Sequence, residues 1–142
     1  MTGLADRQAA LVAALVAGGT PPAGFDPRLL AAAREALLRK RASEVAATWP
    51  LLASAHGPHW TVRFSAWALG RPPGGSLRDG WDLARELRTT SDLPELAAEE
   101  LAVREATWHY DGSHPPRRRR FPAVRRVGST VVLQFAGHTR RL

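Results

Sequence analysis

A chain of 142 residues, 44% of them apolar, suits one domain with a real core, and no stretch approaches the ~20 apolar residues that a membrane-spanning helix needs. Cysteine is absent, which excludes disulfides, thiolate zinc sites and cysteine nucleophiles; with Asp6 and Arg7 interrupting any signal-peptide pattern, this points to the cytoplasm. The net charge of +7 is uneven: residues 1–112 hold 12 of the 20 basic groups and all 13 acidic ones, whereas residues 113–142 hold eight arginines and no acid.

Leu4, Leu11, Val12, Leu15 and Val16 recur at helical spacing, and Gly18-Gly19 with Pro21-Pro22 end that helix. A second helix starts sharply: Asp26 caps it, Pro27 takes its first position, and Phe25 can staple onto Leu30. It is predicted to run to Trp49, with Leu30, Ala33, Leu37, Leu38, Val45 and Trp49 as its apolar stripe. A third helix is predicted from Gly57-Pro58 to Gly70, carrying Trp60, Phe64, Trp67 and Ala68 on one face. Ser76 to Asp79 resembles a capping box that opens a fourth, with Trp81, Ala84 and Leu87 or Arg88 on its inner edge. The fifth opens around Asp92 to Pro94 and bears Leu96, Leu101 and Trp108, with Glu100 and Arg104 as an (i, i+4) pair. After Tyr110, Asp111 to Pro116 reads as a linker into four consecutive arginines. Val124–Val127 and Thr130–Phe135 then flank Gly128-Ser129, a type II′ hairpin signal that places Val124 opposite Leu133. The fold class is therefore mainly α: a bundle of about five helices over residues 1–112, followed by an arginine-rich linker and β-hairpin over residues 113–142.

Chemistry-bearing patterns are sparse. His56 and His59 straddle a helix start, and His109 and His114 lie in the linker with Asp111, so no compact metal-ligand pattern results and neither a metal nor another cofactor is expected. Ser65, Ser76 and Ser129 lack the flanking glycines of a nucleophile elbow, and the Gly70–Gly75 stretch lacks a phosphate-loop lysine. Glu99-Glu100 reads as part of a solvated helix face. The expectation is a protein without catalytic residues. Trp49, Trp60, Trp67, Trp81 and Trp108 all fall on or beside apolar stripes, which predicts an aromatic core with room for one or two interface anchors. Arg41, between Leu38 and Val45, reads as a side chain snorkelling from the core edge; the alternative is a buried arginine bound to a carboxylate.

A neutral body with a basic tail implies one localised contact. Nineteen of the 20 basic residues are arginine, as a GC-rich genome favours, so arginine in place of lysine carries little weight here. Arg117, Arg118, Arg119 and Arg120, with Arg125 and Arg126, can hold phosphates or an acidic polypeptide. The adjoining hairpin, with Val131, Leu133 and Phe135, offers a strand edge to which a peptide can add. These nine residues are the candidate partner-binding or peptide-binding site.

The middle of the chain resembles the HvfC/BufC-type family of peptide-modification partner proteins, whose N-terminal domain was formerly labelled a DNA-binding domain. The resemblance rests on Leu38-Arg39-Lys40-Arg41, Trp49-Pro50-Leu51, His56-Gly57, Phe64, Trp67-Ala68 and Arg71-Pro72-Pro73. It continues through Asp79-Gly80-Trp81, Leu83-Ala84, Leu87 and Leu93-Pro94 to Glu100 and Glu105, with Arg7-Gln8 at its start. It spans roughly residues 4–110. Such proteins accompany multinuclear non-haem iron oxidative enzymes that modify ribosomally made peptides. The resemblance thus implies a non-catalytic partner subunit that docks the iron enzyme and helps present the precursor's leader. Larger relatives continue into a module resembling a peptide-recognition winged helix, where this chain has only its hairpin. The second reading, a DNA-binding protein with a basic arm, is weakened because no helix carries the basic face of a recognition helix.

Overall fold

The computed structural model describes residues 3–120, 123–127, 130–135 and 138–141, with side chains through residue 120 and at Val124. Among the described residues six α-helices lead into two small antiparallel sheets. Helix α1, Leu4–Ala17, stops at Gly18, whose φ of 74° is the left-handed conformation that glycine adopts without strain. Arg34 of the next helix ties this end down, its Nε donating to the Ala14 carbonyl at 2.7 Å. Helix α2, Pro27–Thr48, begins as predicted, with the Asp26 carboxylate accepting the Arg28 N–H at 2.8 Å. Trp49 then breaks it.

The sequence pattern predicts about five helices; the sixth is α3, Pro50–His56, which precedes the predicted start at Gly57. Proline forces the residue before it out of helical geometry yet is preset for a first helical turn, so Pro50 ends one helix and begins another. A single 3-10 turn at Gly57–His59 joins α3 to α4, Trp60–Ala68; α5 spans Ser76–Thr89 and α6 Glu95–Thr107. Among the described residues no helix is long and apolar enough to cross a membrane.

The core is aromatic. Trp49 and Trp81 are fully buried and meet edge to face at 5.7 Å, and Trp60 and Phe64 pack at 5.5 Å. The buried indoles of Trp49 and Trp60 donate to the carbonyls of Leu77 and Ala42. Trp67 and Trp108 stay half-buried at the margin. Leu96, predicted on the inner stripe of the last helix, is instead exposed because Ala97 and Leu101 take the core positions.

Two charged residues also depart from expectation. Arg41 does not snorkel: its Nε donates to Asp79 Oδ2 at 2.6 Å and its Nη1 to the Arg71 carbonyl at 2.8 Å. Asp79, buried, accepts the Gly74 N–H with its other oxygen at 2.9 Å. The predicted capping box at Ser76 is therefore not formed; Gly75 is the N-cap, and the Ser76 hydroxyl is bonded to that of Thr48. Glu100 is buried rather than solvated, and its carboxylate accepts the Leu52 N–H in the first turn of α3 at 2.8 Å.

After α6 come β1 (Trp108–His109), β2 (Arg117–Arg118), β3 (Ala123–Val127), β4 (Thr130–Phe135) and β5 (His138–Arg141). β3 pairs with β4 in the predicted register, Val124 opposite Leu133; the Gly128-Ser129 turn itself lies outside the described residues. β5, not predicted, pairs with the far side of β4. This three-stranded sheet lies against α6.

Gly80 offers the sharpest test of the packing. A Cβ built there would stand 2.2 Å from Trp49 Cδ1. Glycine-to-alanine in a helix interior ordinarily stabilises by about 1 kcal/mol. Here the sign reverses: Gly80→Ala should destabilise by about 1–3 kcal/mol or more, because a buried indole cannot yield cheaply. Urea unfolding of the two proteins measures it.

Candidate functional site

The arginine run is not a free tail. Trp108 leaves α6 in extended geometry, and β1 and β2 form a two-residue ribbon with Trp108 opposite Arg118 and His109 opposite Arg117. The segment predicted to be a linker is the turn that closes this ribbon. Within it the Asp111 carboxylate accepts the N–H groups of His114 and Ser113, each at 2.8 Å, and meets His114 Nδ1 at 2.8 Å. Those hydrogen bonds, His114 N–H foremost, hold the Asp111 carboxyl well below the usual carboxylate range.

Because side chains alternate along a strand, the ribbon sends its arginines to opposite sides. Arg118 lies over Trp108, 5.3 Å from the ring centroid. Arg117 faces the other way and, with His109, Asp111, His114 and Pro115, lines a cavity of about 280 Å³. Arg119 is a fastener: its Nε donates to the carbonyls of Glu105 and Trp108 and its backbone N–H to that of Thr107. Arg120 is exposed. Of the four, three remain at the surface and one is built into the structure.

Helix α5 anchors the turn. Tyr110 is buried 5.2 Å from Trp81, and its hydroxyl donates to Asp82 at 3.0 Å. Arg78 reaches the Tyr110 hydroxyl and the Ser113 carbonyl, and Arg85 donates to the Tyr110 carbonyl at 2.9 Å. Arg85 and Arg88 both bind Glu105 at 3.0 Å, on separate oxygens. Burial works against charge on Glu105, but the hydrogen bonds from Arg88 and Arg85 outweigh it and hold its carboxyl below the ordinary glutamate range. At Asp82 the balance goes the other way, and burial pushes the carboxyl up despite Tyr110.

Two grooves flank this region. Between α3 and α6, Pro50, Leu51, Glu100, Val103, Arg104 and Trp108 line a groove of about 380 Å³. The Arg104 guanidinium lies 4.3 Å from the Trp49 ring centroid, and its Nη2 donates to the Thr48 carbonyl. Between α4 and α5 a groove of about 480 Å³ contains Trp67, Arg71 and Glu86, which bond to one another. His56 stacks on Trp60; burial, then Arg63, pulls its imidazole below the usual histidine range. Among the described residues no three histidine or carboxylate side chains gather as a metal site.

Of the nine candidate residues, Arg117, Arg118 and Arg120 thus stay at the surface and Arg119 is built into the structure. Arg125 and Arg126 occupy β3, opposite Val132 and Val131. Val131, Leu133 and Phe135 occupy β4, the central strand, so any strand addition would take place at β3 or β5. The side chains of these five lie outside the described residues. Sequence reasoning missed Tyr110, Glu105 and the groove around Arg104, all defined by contacts between distant segments.

Residues 5–89 match the family described as SCO6045-like, C-terminal domain, and the chain belongs to that family. A UPF0276 protein of Streptomyces avermitilis is 38% identical over 128 residues, covering 89% of this chain and 26% of the relative. The chain therefore spans about a quarter of that relative's length. Coverage of 89% leaves about 16 residues outside the match, so the match takes in the arginine run wherever it starts. No solved structure matches the chain.

The depressed Glu105 carboxyl has a measurable consequence. Its contribution to stability is fully present above about pH 4.5 and is lost as pH falls through the lower, folded-state value. Glu105→Gln should be less stable than the native chain near neutral pH, with the gap narrowing as the pH falls below about 4.5. Denaturation midpoints at three pH values check both the sign and the window.

Proposed function

We propose that this chain is a non-catalytic partner module that binds a multinuclear non-haem iron oxidative enzyme and helps present the enzyme's precursor peptide. The observation that carries this reading is the ribbon: exposed arginines on a short strand pair, beside a half-buried tryptophan and rigidly bolted to the helical body. Rigid placement lowers the ordering cost of binding, and an aromatic beside arginines is the composition of interface anchors. The Streptomyces relative adds support, since there the matching region shares one chain with roughly three further quarters of protein. A module that occurs covalently joined to a larger partner suits a role beside another folded unit. The likeness to HvfC/BufC-type partner proteins supplies the class of enzyme. Metal and oxidative chemistry would belong to that enzyme, and this chain would contribute binding and orientation.

Co-expression with the iron enzyme and its precursor tests the proposal. A stable complex and faster peptide modification are expected, and Arg117→Glu with Arg118→Glu should weaken the complex at least about tenfold through lost charge complementarity. Equal modification of the peptide without this chain would sink the proposal. Binding to duplex DNA that collapses steeply with added salt would favour the nucleic-acid reading instead.

A further inference from the structure

We propose that the groove between α3 and α6 seats an acidic side chain of the bound polypeptide, with Arg104 at its base and Arg118 at its rim; this rests on the peptide-presenting role above. Arg104 is held in place with one donor left unpartnered. Its Nη2 donates to the Thr48 carbonyl and is ion-paired with Glu100 Oε1 at 3.7 Å. The other Glu100 oxygen already accepts the Leu52 N–H. Arg104 Nε is buried and has no acceptor among the described residues. A guanidinium carries five donors in a fixed fork, and a buried donor left unpaired is costly. Burial pulls Arg104 below the ordinary guanidinium range in spite of Glu100.

The surroundings select what would complete it. Arg104 and Arg118 against Glu100 leave one positive charge, which one carboxylate balances. Pro50, Leu51, Val103 and Trp108 form apolar walls that suit the methylene stem and apolar neighbours of a glutamate or aspartate. Arg118, lying over Trp108, places a second cation beside the same wall. The other two sites lack this combination. In the groove between α4 and α5 the charges cancel, Arg71 being paired with Glu86 and Arg63 with Asp92. In the cavity beside Arg117, the Asp111 carboxylate is itself part of the lining. The complementary ligand is an acidic residue flanked by apolar ones.

The test uses the full chain, labelled with nitrogen-15, and the blocked peptide acetyl-Ala-Leu-Glu-Leu-Ala-amide. The indole N–H resonance of Trp108, assigned with Trp108→Phe, should shift and saturate, and the Glu→Gln version of the peptide should bind at least about fivefold more weakly. Val103→Asp, which puts a like charge into the groove, and Arg118→Gln should each weaken binding about fivefold or more; Arg120→Gln should not. Val103→Asp and Arg118→Gln leave the Arg104 contacts intact, so the test does not depend on an Arg104 variant that could unfold. Equal binding of the acidic and amide peptides, undiminished binding to Val103→Asp, or a larger Trp108 shift with inorganic phosphate than with the peptide would each overturn the proposal. Loss of the iron-enzyme complex with peptide selectivity retained would instead count against the partner role alone.

Discussion

Trp49 lies against the bare backbone of Gly80, and most of the architecture follows from that approach. A 22-residue helix must end for the indole to turn inward, and Pro50 supplies the break. Helix α5 must come close enough that no side chain fits between them, which glycine alone permits. Once the two segments are this near, the Trp49 N–H reaches the Leu77 carbonyl and the ring meets Trp81 edge-on. Asp79, adjacent to Gly80, is carried to Arg41 on α2 by the same approach. Such a buried pair is weak evidence of stability in itself, since desolvation offsets its attraction. Its geometry does fix how α2, α5 and the Arg71-Pro72 connector sit together.

The C-terminal ribbon depends on that core at one remove. Trp81 offers its ring to Tyr110, and Tyr110 brings the chain back over α5, where Arg78 and Arg85 bind the turn. Glu105 gathers Arg85 and Arg88 from α5 and lends its carbonyl to Arg119. A carboxylate beside several arginines here organises a surface, keeping mutually repelling cations at set positions. The result is a basic edge whose charges point in defined directions, unlike the diffuse field of a flexible arm.

That distinction bears on function. Salt-sensitive, sequence-tolerant attraction needs only mobile cations, whereas recognition of one polypeptide gains from fixed cations beside apolar surface. The exposed Arg117 and Arg118, the half-buried Trp108 and the groove with Arg104 have the second character. The chain belongs to a family described as SCO6045-like, C-terminal domain, and matches about a quarter of the length of its Streptomyces relative.

The starts of α2, α5 and α6, the stop at Gly18, the hairpin register and the concentration of arginine after residue 113 were legible in the sequence. Each depends on residues within a few positions of one another: a proline's fixed φ, a cap's reach to the next turn, a two-residue loop between strands. Arg41, Glu100 and the Asp111–Pro116 segment were misread because their partners lie elsewhere: Asp79 is 38 residues from Arg41, and Leu52 is 48 from Glu100. The placement of Arg119 and the reach of Arg104 to the Thr48 carbonyl were equally invisible, since both are set by which carbonyls packing brings within reach. Composition and local pattern determined that the chain would be a helical body with a basic end. Only the tertiary structure decided which arginines hold that end together and which remain open to a partner, because a side chain's electrostatic role depends on its neighbours in space, and those were chosen by the packing of Trp49 on Gly80.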